Sequence, residues 1–394
     1  MSDRSITGKA AVVGVGESIY YKHGKSPDPE FVLAIKAILA AAEHAGVDPK
    51  SIDGFVSFAE ERNTALRVAA ALGSREMRWS TMQWGGGGSG GSGAVQQAAA
   101  AIAAGFTDTV AVYRAVAQGQ FRRFGQSGER AAGDSHRVAY GMTTPGQAYA
   151  SRVTRFLHET GVSIDTLRAV SLASYRHAQS NPRAIMYGRP LTEERYNEAR
   201  WIVEPFRLFD CCQESDGAAA LILTSGERAR ELTANPAYVL AAAQGGGMRS
   251  GGFMEGVFDS PKFATSEFEP LAARIFPTAG IKPGDVDVVQ SYENFTGGVV
   301  MALIENGFCS IDEANDFITV ENLTAPTGRL PLNTSGGNLA EAYIHGLELH
   351  VEAVRQLRGE SVNQISNARV SFVSSGPMVT PASSILYGSE EALS

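Results

Sequence analysis

Trp84-Gly-Gly-Gly-Gly-Ser-Gly-Gly-Ser-Gly93 runs without a break into the alanine-rich stretch Ala94 to Ala104. Read alone, such a run is a flexible Gly/Ser linker. A linker joins independent cores, yet this one has a strand-like segment, Ile52 to Phe58, before it and another, Thr107 to Tyr113, after it. The other reading is a tight turn where backbone approaches a ligand closely, aimed at a helix N-terminus. No lysine follows the glycines, which removes the phosphate loop of nucleotide hydrolases. Gly14-Val-Gly16 lacks the third glycine of the dinucleotide fingerprint, since Ile19 stands there, and reads as a strand-end turn.

Outward from this turn the chain alternates. Ala10 to Gly16 reads as a buried strand, Phe31 to Ala45 as a helix stopped by Gly46, and Glu60 to Leu72 as a second helix. From about Arg114 to Arg200 the sequence turns polar, helical and loop-rich, as expected of a cap inserted over one face. Strand patterns resume at Ala218 to Thr224 and Ala237 to Ala243. Helices are expected at Phe268 to Ala279, Thr296 to Gly307 and Gly337 to Leu357, with strands at Val286 to Gln290, Arg369 to Ser374 and Ser383 to Leu386. The expectation is an α/β protein whose sheet is covered on both faces, in two similar halves, 1–235 with the cap at about 114–200, and 236–394.

Composition narrows the function. A chain of 394 residues with 44% apolar and 19% charged residues is an ordinary globular balance, long enough for two cores. A net charge of −8 argues against general nucleic-acid binding but leaves room for an anionic ligand at a helix N-terminus. No run of about 18 apolar residues spans a membrane, and no apolar signal core follows Met1-Ser2-Asp3-Arg4. Cys211, Cys212 and Cys309 make no disulfide framework; a cytoplasmic home is expected.

Four segments together resemble the thiolase superfamily, in particular its sterol-carrier-protein type. Gly90-Gly-Ser-Gly93 is similar to the Cys-Gly-Ser-Gly stretch of thiolases, with Gly90 in the place of the acylated cysteine. Tyr292-Glu-Asn-Phe295 is similar to Asn-Glu-Ala-Phe. Gly336-Gly-Asn-Leu-Ala-Glu-Ala-Tyr-Ile-His-Gly346 is similar to the histidine motif, with Tyr343 where the histidine belongs, and Ser374-Ser-Gly376 to the late Cys-x-Gly motif. The resemblance covers nearly the whole chain and implies the thiolase fold, layered helix–sheet–helix–sheet–helix. Both thiolase cysteines and the base histidine are missing, so acyl transfer to a motif thiolate has no nucleophile.

Tyr292-Glu-Asn-Phe295, Glu341-Ala-Tyr-Ile-His-Gly346 and Arg200 to Gly217 look like the lipid-transfer-protein-type aldolases of bacterial steroid side-chain degradation. The resemblance implies retro-aldol cleavage of a 17-hydroxy-20-carboxyl-CoA steroid by two tyrosines, giving a 17-ketosteroid and propionyl-CoA. It also implies a homodimer, and a partner hydratase that carries an OB-fold domain. No cofactor is expected, CoA being part of the substrate.

Retro-aldol chemistry on a β-hydroxyacyl thioester needs a base for the hydroxyl, a sink for the enolate and an acid for Cα. Only seven lysines occur, none in the motifs, and His345 and His350 are five apart, off a shared helical face. Neither a Schiff base nor a metal is supported. Carried over from thiolases, the oxyanion hole is the N–H of Gly90 and of Gly376; one such donor contributes roughly 3–4 kcal/mol at the transition state. Tyr343 is then the candidate base and Tyr292 the candidate acid. A phenol of pKa about 10 is costly to ionise at pH 7, by roughly 4 kcal/mol, so donors or positive charge are needed. His345, Asn294 and the start of the helix at Gly337 are the candidates. Glu293 and Glu341 either orient the tyrosines or satisfy buried backbone donors. Cys211 to Gly217 reads as a structural loop under the site. Two other readings stay open: a non-catalytic acyl-CoA or sterol binder, and an acyltransferase using Ser92 or Ser374, for which no motif histidine is placed.

Overall fold

The computed structural model describes residues 6–59, 61–84, 87–121, 139–247 and 262–393. Its frame is a ten-stranded sheet. The strands contributed before residue 236 are β1 (Ala10–Glu17), β2 (Tyr21–Lys22), β3 (Gly54–Phe58), β4 (Trp79–Gln83), β5 (Thr109–Ala117) and β8 (Ser215–Ser225). A separate hairpin is formed by β6 (Trp201–Val203) and β7 (Phe206–Arg207). After residue 236 come β9 (Ala237–Gly245), β10 (Val288–Ser291), β11 (Val370–Ser375) and β12 (Ala382–Gly388).

The first half is ordered β4-β3-β5-β8-β1, with β8 antiparallel to both neighbours. The second is ordered β10-β11-β12-β9, with β12 antiparallel to both of its neighbours. The two orders correspond strand for strand, except that the counterpart of β4 shrinks to one parallel bridge between Val289 and Leu332 and that β2, paired with β8, has no counterpart among the described residues. A short antiparallel pairing of Ala11 with Tyr238 joins the halves.

Helix Gly90–Ala103 lies between the halves, against β3 and β5 on one side and β9 and β12 on the other. A helix enclosed on nearly every side has room only for small residues, which explains its glycines and alanines. Helix Leu347–Arg358 lies beside it, against β8 and β11. The outer faces are covered by helix Glu30–Ala45 on the first half and Glu269–Ala279 on the second. The layering is that of the expected thiolase fold. Among the described residues no helix is long and apolar enough to cross a membrane.

Several expectations are corrected. Gly14 and Gly16 lie inside β1, not in a turn; a Cβ at either would come within 2.3 Å of the backbone at Ala41, so they let helix Glu30–Ala45 settle on the strand. The second helix spans only Ala65–Leu72, and Glu60 lies outside the described residues. Strand β4 was not expected, because Trp79-Ser-Thr-Met-Gln83 is a half-exposed edge with no apolar run. Arg114 to Ala117 is the buried end of β5 rather than the start of the cap. The described part of the cap holds helices Pro145–Thr160, Asp165–Ala178 and Glu193–Asn197, and the β6–β7 hairpin follows it, while 122–138 lie outside the described residues. The long helix expected from Gly337 to Leu357 is two helices, Gly337–Ala340 and Leu347–Arg358. His345 and Gly346 between them have φ of 53° and 86°, a backbone that a right-handed helix cannot contain.

Candidate active site

The break in that helix is what brings Tyr343 into the site. Its N–H donates to Ser215 Oγ at 3.1 Å, at the start of β8. Tyr292 follows the last residue of β10, and its N–H donates to the Ser374 carbonyl on β11 at 2.9 Å. The two hydroxyls meet at 2.6 Å, one donating to the other, with ring centroids 5.9 Å apart. Both phenols are nearly enclosed, and burial holds both well above the ordinary tyrosine pKa. In the resting protein both are neutral.

The glycine-rich turn forms the floor under Tyr292. A Cβ on Gly88 would lie 2.0 Å from Tyr292 Cε2, and one on Gly346 2.8 Å from Cδ2. A Cβ on Gly87 would stand 3.7 Å from the Tyr292 hydroxyl. Gly376, with φ of 71°, presses on Ser89, the neighbour of Gly90, where a Cβ would come within 2.3 Å. Positions 90 and 376 are thus adjacent in space. A side chain at 90, however, would meet Phe58 Cβ at 2.8 Å and Gln83, not the phenols. Gly87-Gly-Ser-Gly90 repeats the same four-residue pattern three residues earlier, and it is this copy that faces Tyr292. Gly85 and Gly86 lie outside the described residues.

His345 stands edge-to-face with Tyr343, centroids 5.3 Å apart. Arg114, reaching in from β5, donates to His345 Nδ1 from Nε at 3.1 Å and sits with a second guanidinium nitrogen at 2.9 Å. Burial first, and the Arg114 charge second, hold the imidazole well below its ordinary pKa. Arg114 is itself paired with buried Glu61 at 2.7 Å.

The remaining candidates divide. Asn294 Oδ1 accepts the Phe295 N–H, the Asn294 carbonyl accepts the Cys212 N–H at 3.0 Å, and the side chain also bonds Tyr149. Glu293 accepts from Ser174 Oγ at 2.5 Å and from the Leu339 N–H, and Glu341 accepts from Asn181 Nδ2 at 2.8 Å. Of these contacts only the Leu339 N–H to Glu293 is a backbone donor; the others are side chains. Burial pushes Glu293 up to about 7 and Glu341 up to about 8.

The structure adds Arg114 and His350, which motif reading missed, and brings Cys212 of the loop beneath the site to the phenols. Cys212 bonds the Tyr343 side chain, and burial pushes its thiol up to about 12, so it is a neutral neighbour rather than a thiolate. Arg114 had a signal, a lone charge within the apolar run Val110 to Ala117. A histidine also stands near Ser92: His350 Nε2 is 3.5 Å from Ser92 Oγ, with Ser375 Oγ at 2.9 Å and Tyr387 Oη 2.8 Å from His350 Nδ1. Ser92 and His350 are fully buried, and burial takes the imidazole down to about 3. Ser374 Oγ bonds Ser291 Oγ at 2.9 Å. Among the described residues no group of three or more His, Cys, Asp or Glu side chains is gathered as a metal site.

Residues 254–389 match the family described as Thiolase C-terminal domain-like. A solved structure of an Ltp2-ChsH2(DUF35) aldolase has a TM-score of 0.90 and 37% identity, covering 98% of this chain and 99% of that one. The fold is that of thiolase-type enzymes, and the candidate site brings two phenols into contact. The 17-hydroxy-3-oxo-4-pregnene-20-carboxyl-CoA lyase of Mycobacterium tuberculosis is 38% identical across 97% of this chain and 100% of its own length. The steroid side-chain-cleaving aldolase of Thermomonospora curvata is also 38% identical, across 98% of this chain and 99% of its own. The chain belongs to this family of steroid side-chain-cleaving aldolases.

Proposed function

We propose that this chain cleaves the side chain of a 17-hydroxy-20-carboxyl-CoA steroid, releasing a 17-ketosteroid and propionyl-CoA. The observation that carries the reading is the 2.6 Å contact between the Tyr292 and Tyr343 hydroxyls beside a glycine-lined helix start. One proton of the neutral pair leaves to solvent first, and the Tyr343 phenolate takes the proton of the β-hydroxyl before the Cα–Cβ bond breaks. That proton later passes to Tyr292, once Tyr292 has given its own to Cα. The bonding pair passes into the thioester as an enolate, and Tyr292 returns a proton to Cα. Because the phenols share one hydrogen bond, ionisation belongs to the pair, and a phenolate formed on one is held by the O–H of the other. Main-chain amides near Gly90 and Gly376 hold the enolate oxygen. No acyl-enzyme is formed; the thiol nearest the phenols, Cys212, is kept protonated by burial.

Two assembly features belong to the same proposal. The exposed edge of β4, with Met82 and Trp84 outward, suits pairing with a second copy, since an unpaired strand edge invites another strand. A partner hydratase with an OB-fold domain completes the active form; the similar solved structure couples an Ltp2 aldolase with ChsH2(DUF35). Three free thiols suit a cytoplasmic home. The test is to supply the steroid acyl-CoA with and without that partner and to measure ketone and propionyl-CoA. An intact substrate in the presence of the partner would remove the proposal.

A further inference from the structure

We infer that Glu61 and Arg114 form a positioning pair that locks His345 as a neutral Nε2–H donor for the β-oxygen of the substrate. This deepens the lyase reading and rests on it. The argument begins with the inventory of donors. A guanidinium carries N–H groups only and accepts nothing. Arg114 directs its guanidinium nitrogens at His345 Nδ1, at 3.1 and 2.9 Å, so Nδ1 must present its lone pair. In a neutral imidazole the proton is then on Nε2.

Arg114 would not hold this position alone. It is a charge buried in the middle of β5, and a buried charge needs a partner. Glu61 supplies it at 2.7 Å, and the same carboxylate oxygen accepts the Ala115 N–H at 2.8 Å. The other carboxylate oxygen is taken by Asn63, through its backbone N–H at 2.9 Å and its side-chain amide at 2.6 Å. The assembly is rigid from the strand to the ring. His345 also holds a left-handed backbone, φ 53°, a conformation that side-chain residues adopt at a cost and that collects at functional sites. The charged and titratable groups facing the imidazole are Arg114 and, at longer range, Arg62 on the first half, with Tyr343 on its own segment and Tyr292 behind it. Both arginines oppose protonation of the ring.

The chemical use follows from where the ring stands, beside the phenol that takes the β-hydroxyl proton. As that proton leaves, charge grows on the β-oxygen before the C–C bond is broken. A fixed neutral N–H stabilises it without competing for the proton, which an imidazolium would do.

Ring 15N spectra of the histidines test the inference, with His345→Leu identifying the signal. The expected pattern is a neutral Nε2–H ring that does not titrate between pH 5 and 8. Arg114→Lys, still a donor with no acceptor, keeps that tautomer. Arg114→Met combined with Glu61→Gln, which leaves no buried charge, frees Nδ1. His345 then exchanges between its two neutral tautomers, and an Nδ1–H form appears in the ring spectrum, while burial still keeps the imidazole from protonating. His345→Leu lowers kcat about 100-fold, in the range of a lost oxyanion donor. It weakens binding of a 17-ketosteroid about tenfold while leaving propionyl-CoA binding unchanged. A wild-type ring protonated on Nδ1, or one titrating near pH 6.5, overturns the inference whatever the activity. Absence of cleavage by a wild-type protein with the expected ring pattern would instead overturn the lyase reading.

Discussion

Gly88 and Tyr292 compete for the same space: a Cβ on the glycine would lie 2.0 Å from the Cε2 atom of the phenol. The smallest side chain therefore displaces the ring. Gly88→Ala is expected to lower kcat about 100-fold, the effect of misplacing a reacting group by an ångström, with the circular dichroism of the wild type. Steady-state kinetics of the folded variant check this; wild-type kcat would mean that the ring position is immaterial.

Removing either hydroxyl breaks the 2.6 Å contact between Tyr292 and Tyr343. Tyr343→Phe and Tyr292→Phe are each expected to reduce cleavage by about 10²–10⁴-fold, the range of general acid–base catalysis, with thioester binding retained. Calorimetric titration with propionyl-CoA alongside product assays separates the two effects. Cleavage near the wild-type rate in both variants would contradict the proton-transfer roles.

Cys212 gives the opposite expectation. Its thiol is protonated beside Tyr343, so Cys212→Ala should leave cleavage within about fivefold of wild type, since proton transfer by the phenols is untouched. Mass spectrometry after incubation with substrate should show no added acyl mass. An adduct on Cys212 would point to acyl transfer.

Glu293 makes stability depend on pH. Burial raises its pKa to about 7 in the folded protein, against about 4.3 for an unfolded glutamate. Between these values the folded state holds a proton that the unfolded state has released, so the contribution of Glu293 to stability is full below about pH 4.3 and is lost as pH rises through 7. Glu341, also raised, acts in the same sense. Glu293→Gln should flatten part of that decline in denaturant titrations; a wild-type slope in the variant would show that Glu293 is not the group responsible.

Ser375 holds the late glycine turn to the start of helix Gly90–Ala103, its Oγ accepting the Ser92 N–H at 3.2 Å. Ser375→Ala strands a buried donor and should destabilise the fold by about 1–3 kcal/mol, read as a lower Tm. An unchanged Tm would show that the hydroxyl carries no such role.

Much of this architecture can be read from residue order. Tyr292 and Tyr343 stand out because each occupies a recognisable motif position, and the α/β alternation follows from apolar runs such as Ala10 to Val13. The limits have physical causes. In the run Trp84 to Gly93 the glycines look alike, and only packing against Tyr292 separates Gly87 and Gly88 from Gly90. Leu339, Leu347 and Val351 continue an apolar helical pattern across His345, whose left-handed backbone accompanies a long-range bond from Arg114. Strand β4 escapes notice because an edge strand need not alternate strictly. The pairing of Arg114 with His345 spans 231 positions, and no local pattern encodes it.

That pairing also has a bearing on how the molecule is inherited and cut. Arg114 and Ser215 come from strands ahead of residue 236, while His345 and Tyr343 come from beyond it. The candidate site is thus a seam stitched from both sides of residue 236, and under the proposed function a gene fragment encoding one side alone would yield an inert product. Recombination between relatives would need to exchange the arginine and its imidazole together to keep a working enzyme.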